Sequence, residues 1–242
     1  MRNWGYCTIN GETIELEELN MIMDMASPTR SFACNVKEFP IDFRHEKAFK
    51  FRDNDYEDAR WVKIEDLYKL RNCQHVTLGR NNFTKTQIKE FIHYWVNSEI
   101  DMFWWMKIGK AEAFGLTEIL DGFTLLHIEH RRTCFTMAPA SKTRKRRLLF
   151  FTNLKNSLIM SAWSPGEFKS GGSEKFDAAI RKKERVMELL MVKKKLELEK
   201  KSADEESKER ISKRLKRLDK AIKSYGVFFV NGKATLRVPR LK

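Results

Sequence analysis

The apolar positions change period several times along the 242 residues. Leu16, Leu19, Ile22 and Met23 recur at helical spacing in "ELEELNMIMDM", and Ser27-Pro28 ends that run. Upstream, "YCTI" and "ETI" flank Asn10-Gly11, which suits a type I′ turn because both central positions take positive φ; a hairpin is predicted. "CNVKEFPIDF" has strand character, with Pro40 marking an edge or an interruption. Residues 51–60, "FRDNDYEDAR", read as a polar connection. Ile64, Leu67 and Leu70 predict a short helix in "WVKIEDLYKL", and "HVTL" a strand. Over 84–97, Ile88, Phe91, Ile92, Trp95 and Val96 form one apolar helical face. Thr84 and Gln87 fit a capping box, with Phe83 and Ile88 as a hydrophobic staple. "MFWWMKI" is a strand with aromatic residues on both faces, expected to be covered on both.

Past residue 121 the chain turns into a strand or hairpin, "DGFTLLHIEHRRTCFTM", then a charged loop, then the apolar "LLFFTNLKNSLIMSAW". "SPGEFKSGGS" has no period and is rich in breakers, so a boundary is placed there. Residues 173–225 lack Gly and Pro and are rich in Lys, Arg, Glu and Leu, the composition of long helix. Ile211, Leu215, Leu218, Ile222 and Tyr225 follow a heptad seam that fails upstream at "KSADEES". Ser202 as N-cap with Glu205 as its partner predicts two helices in a hairpin rather than one rod. Asn231-Gly232 between apolar runs predicts a closing β-hairpin ended by Pro239. The resulting organisation is an α/β domain over 1–165, a linker over 166–173, a basic helical hairpin or coiled coil over 174–225, and a β-hairpin over 226–242. The last strands are expected to join an edge of the first domain's sheet, making the helices an insertion.

Charge sharpens this division. Residues 1–140 carry 18 basic and 21 acidic side chains, whereas residues 141–242 carry 29 and 12, so the net +14 arises in the C-terminal part. Such asymmetry points to parts with different partners. No apolar run reaches the roughly 18 residues of a membrane span, and the first residues lack an apolar signal core, so a cytoplasmic or nuclear protein with reduced cysteines is expected.

Candidate chemistry is sparse. No nucleotide-loop, zinc-protease, serine-hydrolase or calcium-loop pattern occurs, so no catalytic residue, cofactor or metal is assigned. A catalytic alternative would need titratable groups converging near Glu112, Glu118 or Asp121. The turn at Gly79 has one glycine and precedes an already capped helix, which favours a structural turn over a phosphate cradle. Cys73, Val76, Leu78 and Asn81 fit the leucine-rich-repeat spacing, with a degenerate second copy around Ile100 to Ile108. His127 and His130, three apart on a strand, would face opposite ways and share no metal. Trp61, Trp95, Trp104 and Trp105 are expected in the core rather than on a stacking platform. Lys142, Arg144, Lys145, Arg146 and Arg147 form a basic patch suited to nuclear import or an anionic partner. The C-terminal helices offer nucleic-acid phosphates a sequence-independent partner, though no aromatic interrupts 177–224.

"WVKIEDLYKL", "NCQHVTLGRNNFTKTQIKEFIHYW" and "EILDGF" resemble the type 2 F-box-associated domain family. Trp61, Val62, Leu67, Leu70, Leu78, Phe91 and Trp95 stand at that family's apolar signature, and Tyr94 replaces its usual histidine. The resemblance implies a leucine-rich-repeat-like α/β domain that binds a protein partner or ubiquitination substrate without catalysis. On this resemblance "WGYCTINGETI" is expected to fall inside the associated domain and not in an F-box, so a ubiquitin-ligase core is not the expected partner. The rival expectation is a basic nucleic-acid-binding protein; no membrane partner is expected.

Overall fold

A computed structural model describes residues 5–27, 29–167 and 173–237. Pro28, Pro239 and most of the expected 166–173 linker lie outside the described residues. The protein is mixed α/β, with six helices and eleven strands among the described residues. It divides into two compact units. The first comprises residues 1–121, 138–147 and 151–162, the second residues 122–137, 148–150 and 163–242.

The first unit is built on six strands in the order β1 (Tyr6–Thr13), β2 (Ser31–Glu38), β3 (Asp53–Asp58), β4 (Cys73–Arg80), β5 (Phe103–Gly109) and β9 (Ser157–Trp163, of which its last residue belongs to the second unit). The first five are mutually parallel and follow chain order; β9 pairs with β5 antiparallel. Parallel neighbours need crossovers, and α1 (Leu16–Met25), α2 (Ile64–Leu67) and α3 (Lys85–Asn97) supply three of them, with the loop 39–52 as the fourth. Register-matched residues recur at Tyr6, Ser31, Asp53, His75 and Trp105, at uneven intervals that define no fixed repeat length.

Local signals at α3 hold: Thr84 accepts from the Gln87 N–H at 3.2 Å, and Gln87 Oε1 accepts from the Thr84 N–H at 3.0 Å. Ile88, Phe91, Ile92 and Trp95 are buried beneath it. The predicted N-terminal hairpin is replaced by one strand. β1 runs through Asn10-Gly11, with Asn10 opposite Asn35 and Gly11 opposite Val36 in a parallel ladder, so no turn is needed there. Residues 51–60 are not a mere connection but contain β3, an interior strand. Its inward side chains, Asn54, Tyr56 and Asp58, are polar-tipped and hydrogen-bonded: Asn54 donates to the Phe51 carbonyl at 2.9 Å, Tyr56 to the Ala48 carbonyl, and Asp58 accepts from the Phe39 N–H at 3.2 Å. That hides the strand from a hydrophobicity reading. In "MFWWMKI", Met106 and Ile108 are buried while Lys107 is exposed, so one face is open rather than both covered.

The second unit pairs β7 (Thr133–Met137), β6 (Leu126–Ile128), β11 (Lys233–Leu236) and β10 (Val227–Val230) in that order. β10 and β11 form the predicted hairpin, with Asn231 at φ 49° and Gly232 at φ 76°. β11 runs parallel to β6, with Thr235 opposite His127 and Leu236 opposite Ile128, so the intervening helices are indeed an insertion between strands. β8 (Leu148–Asn153) contributes Leu148–Phe150 here and its remainder to the first unit. α5 (Ser173–Ser202) and α6 (Glu205–Ser224) are two helices, as expected. The cap differs: Ser202 ends α5, and Asp204 caps α6 by accepting from the Ser207 N–H at 2.8 Å. Ile180, Val186, Met187, Leu190 and Ile222 join Leu126, Phe135, Leu148, Val227 and Leu236 in one core.

Candidate binding face

Because side chains alternate along a strand, the first unit's sheet has a packed face and an open one. Phe32, Cys34, Val36, Val76, Leu78, Met106 and Ile108 fill the packed side. The other side carries two register-matched rows, open at their remaining positions but closed over Ser31, Ala33 and Ser161, which are buried. One runs Tyr6, Ser31, Asp53, His75, Trp105 and Ser161; the next runs Thr8, Ala33, Asp55, Thr77, Lys107 and Ile159. At a strand spacing of about 4.8 Å, each row extends roughly 24 Å.

The first row is organised around Asp53. Ser31 Oγ donates to Asp53 Oδ2, His75 Nδ1 lies 2.7 Å from Asp53 Oδ1, and Arg52 Nε donates to Oδ2 at 3.1 Å. Burial pushes the Asp53 carboxyl up, but the hydrogen bonds from Ser31, His75 and Arg52 outweigh it and hold it below the ordinary range. The His75 ring stands edge-on to Trp104 at 5.2 Å and to Trp105 at 6.0 Å. In the second row burial raises the Asp55 carboxyl, Lys107 pulls it down, and Glu57 raises it further. The result is an ordered polar surface with aromatic area, fixed on strands rather than loops.

At the strands' C-terminal ends the side chains are committed to structure. Asn81 donates to the Gly79 carbonyl at 2.9 Å and the Gly109 carbonyl at 2.8 Å, and accepts from the Phe83 N–H at 3.1 Å. A Cβ on Gly79 would overlap the Glu57 carbonyl oxygen, so glycine is required where these backbones converge. Asp58 is 1% exposed and meets Arg60 at 2.6 Å and Arg80 at 3.4 Å; both arginines also reach Glu38. Burial raises the Asp58 carboxyl, but Arg60 and the Phe39 and Arg60 N–H groups bring it below the ordinary range.

The residues singled out from sequence fall in different places. Trp61, Val62, Leu67, Leu70, Leu78, Phe91 and Trp95 are all buried. Trp104 and Trp105 are half-buried rather than core. Arg144 is withdrawn from the basic patch: it is 4% exposed, its guanidinium lies 3.6 Å from the Trp95 ring centre, and it donates to the Trp95 and Ser98 carbonyls. Burial lowers its pKa to about 10, against the opposing pull of Asp101. The Lys145 and Arg146 N–H groups donate to Asp101 at 3.0 and 2.8 Å, and Arg147 Nε points to the Ala138 and Pro139 carbonyls. Lys142 and Lys145 keep exposed side chains. Glu112 accepts from the Lys85 N–H, Glu118 meets Lys85 Nζ at 3.1 Å, and Asp121 meets Lys89 at 3.7 Å. His130 sits beyond β6 in a positive-φ turn rather than on the strand with His127. No group of three or more metal-ligating side chains occurs among the described residues, and no described helix is long and apolar enough to cross a membrane.

Sequence reasoning missed Asp53 and His75 and placed the half-buried Trp105 in the core. The signal available was the alternation in "DNDYED", where every second residue is acidic or polar and the strand has no apolar stripe beyond Tyr56.

No family model matches the chain, and no solved structure matches it. Over 112 residues it is 27% identical to E3 ubiquitin-protein ligase hecw-1 of Caenorhabditis elegans. The aligned part covers 45% of this chain and 9% of that protein, so the chain spans a small fraction of that relative's length.

Proposed function

We propose that the chain is a non-catalytic protein-interaction module that holds a partner on the open face of its parallel sheet. The observation that carries this reading is the row of Tyr6, Asp53, His75 and Trp105, in register across the parallel strands, with Asp53 and His75 held together by a hydrogen bond. Rigid side chains on strands lose little freedom on binding. A leucine-rich-repeat-like reading of this unit is supported by the chain-order parallel strands and by Asn81 closing the corner. The resemblance to F-box-associated domains and the partial similarity to a ubiquitin ligase favour a ubiquitination substrate as partner, in the cytoplasm or nucleus.

A second reading rests on α6. Residues 210–223 hold seven basic side chains and one acid, Asp219, which Lys193 already engages at 2.6 Å. Such a face suits nucleic-acid phosphates.

Proximity labelling with the full chain separates the two. The first reading expects a discrete set of proteins that disappears with Thr77→Arg/Trp105→Ala and persists with Arg214→Glu/Arg217→Glu. Recovery of ligase core subunits within that set would tie it to ubiquitination. Steeply salt-dependent binding to generic DNA or RNA, lost with the α6 variant alone, would favour the second.

A further inference from the structure

The heptad seam of α6 is only partly spent on the core. Ile222 is buried in the second unit, but Leu218 and Ala221 are only partly covered. On α5, Val192 is 42% exposed. These three side chains floor a groove of about 350 Å³ between the two helices, and Arg214 and Arg217 are its wall.

Spacing gives the groove a direction. Arg210, Arg214 and Arg217 stand at i, i+4 and i+7, one stripe of α6 about 10 Å long, and Ala221 continues it. No acid competes for this stripe. Asp219 is held by Lys193 at 2.6 Å, Glu209 by Lys213 at 2.8 Å and Glu188 by Arg185 at 3.0 Å, and none of the three lines the groove. Arg210 donates one N–H to Ser207 Oγ at 3.1 Å. Arg214 and Arg217 make no hydrogen bond or ion pair among the described residues.

Each feature narrows the occupant. Phosphates would meet the arginines but leave Val192, Leu218 and Ala221 uncovered, and no aromatic side chain lines the groove to stack a base. A second copy of this chain, packed through the same groove about a two-fold axis, would set one arginine stripe against another. A helix with an apolar stripe flanked by carboxylates at heptad spacing satisfies both halves. Its apolar side chains cover the floor, and its Asp or Glu side chains meet the guanidinium forks.

We propose that the groove between α5 and α6 docks an acidic amphipathic helix of a protein partner. This surface is separate from the open sheet face, and either one can fail alone.

Fluorescence anisotropy with the full-length protein near physiological salt tests it. The probe is a labelled peptide of three heptads with Leu at a and d and Glu at e and g; its flanking glutamates keep it from pairing with itself. Kd is expected below about 100 μM. The same peptide with Ser at a and d is expected to bind at least about tenfold more weakly. Arg214→Glu/Arg217→Glu alters only exposed side chains. It is expected to weaken the Leu/Glu peptide at least about tenfold and to gain affinity for a version with Lys at e and g. Val192→Asp, on the opposite helix, is expected to weaken the Leu/Glu peptide as well. Lys142→Glu/Lys145→Glu makes the same charge change elsewhere and should leave Kd within about twofold. An arginine variant that binds as tightly, a Ser peptide that binds as well as the Leu peptide, or equal loss with the Lys142/Lys145 variant would overturn the proposal. A single-stranded oligonucleotide that displaces the peptide and binds more tightly would also overturn it, assigning the stripe to nucleic acid.

Discussion

The two units meet the same requirement, covering one face of a sheet, with different materials. In the second, long amphipathic helices do it: Val186, Leu190 and Ile222 are laid over Leu126, Phe135 and Val227. In the first, short crossovers and loop aromatics do it, and polar groups are drawn inside. Asp58 and Asn81 are buried and matched to named donors or acceptors, and the buried Asn54 donates to the Phe51 carbonyl. A helix-covered core tolerates loss in steps, because its contacts are many and individually small. A core closed by buried polar groups fails more sharply, because each group removed leaves its partners unsatisfied.

The largest test of that contrast is Asp58→Ala. It removes the acceptor of the Phe39 N–H and leaves Arg60 and Arg80 with Glu38 alone, and is expected to cost about 3 kcal/mol, read as a fall in Tm on the order of 10 °C. The pH dependence has a definite sign. The folded carboxyl lies below its ordinary value, so its contribution is present above about pH 4 and lost as pH falls further. The gap between the native chain and Asp58→Asn should therefore shrink in acid. If the gap widens, the carboxylate is not what holds that corner.

Gly79→Ala comes next. Its Cβ meets the Glu57 backbone rather than a movable side chain, and a loss of about 2–3 kcal/mol is expected in chemical denaturation. Gly232→Ala is the matched probe of the second unit. Gly232 has positive φ but open space around it, so the cost should be about 1 kcal/mol. Equal costs for the two would remove the contrast. The smallest effect is chemical. Burial pushes the Cys34 and Cys134 thiols up to about 12 and Cys73 to about 11, whereas Cys7 is only partly buried. Cys7 should react first with a disulfide reagent at pH 8, the other three following only as the units open.

The same contrast explains what the sequence made legible. In the second unit, the helices and the Asn231-Gly232 hairpin follow from local signals, and the α6 cap is displaced only from Ser202 to Asp204. In the first, α3 is legible through Thr84 and Gln87. β3 is not, because its inward positions are Asn, Tyr and Asp, polar-tipped side chains whose partners lie outside the strand, at Phe51, Ala48 and Phe39. β1 is misread because Asn10-Gly11 favours a turn locally, while seven register pairs to β2 outweigh that preference. The candidate face was hidden for the same reason: Asp53, His75 and Trp105 are brought together only by strand register.

The account's central claim is that this face holds the partner. Hydroxyl-radical footprinting of the chain, alone and bound to a partner recovered by proximity labelling, reads it side chain by side chain. Oxidation of Tyr6 and Trp105 is expected to fall on binding. Unchanged oxidation of both, with protection confined to α6 or to other surfaces, would contradict it.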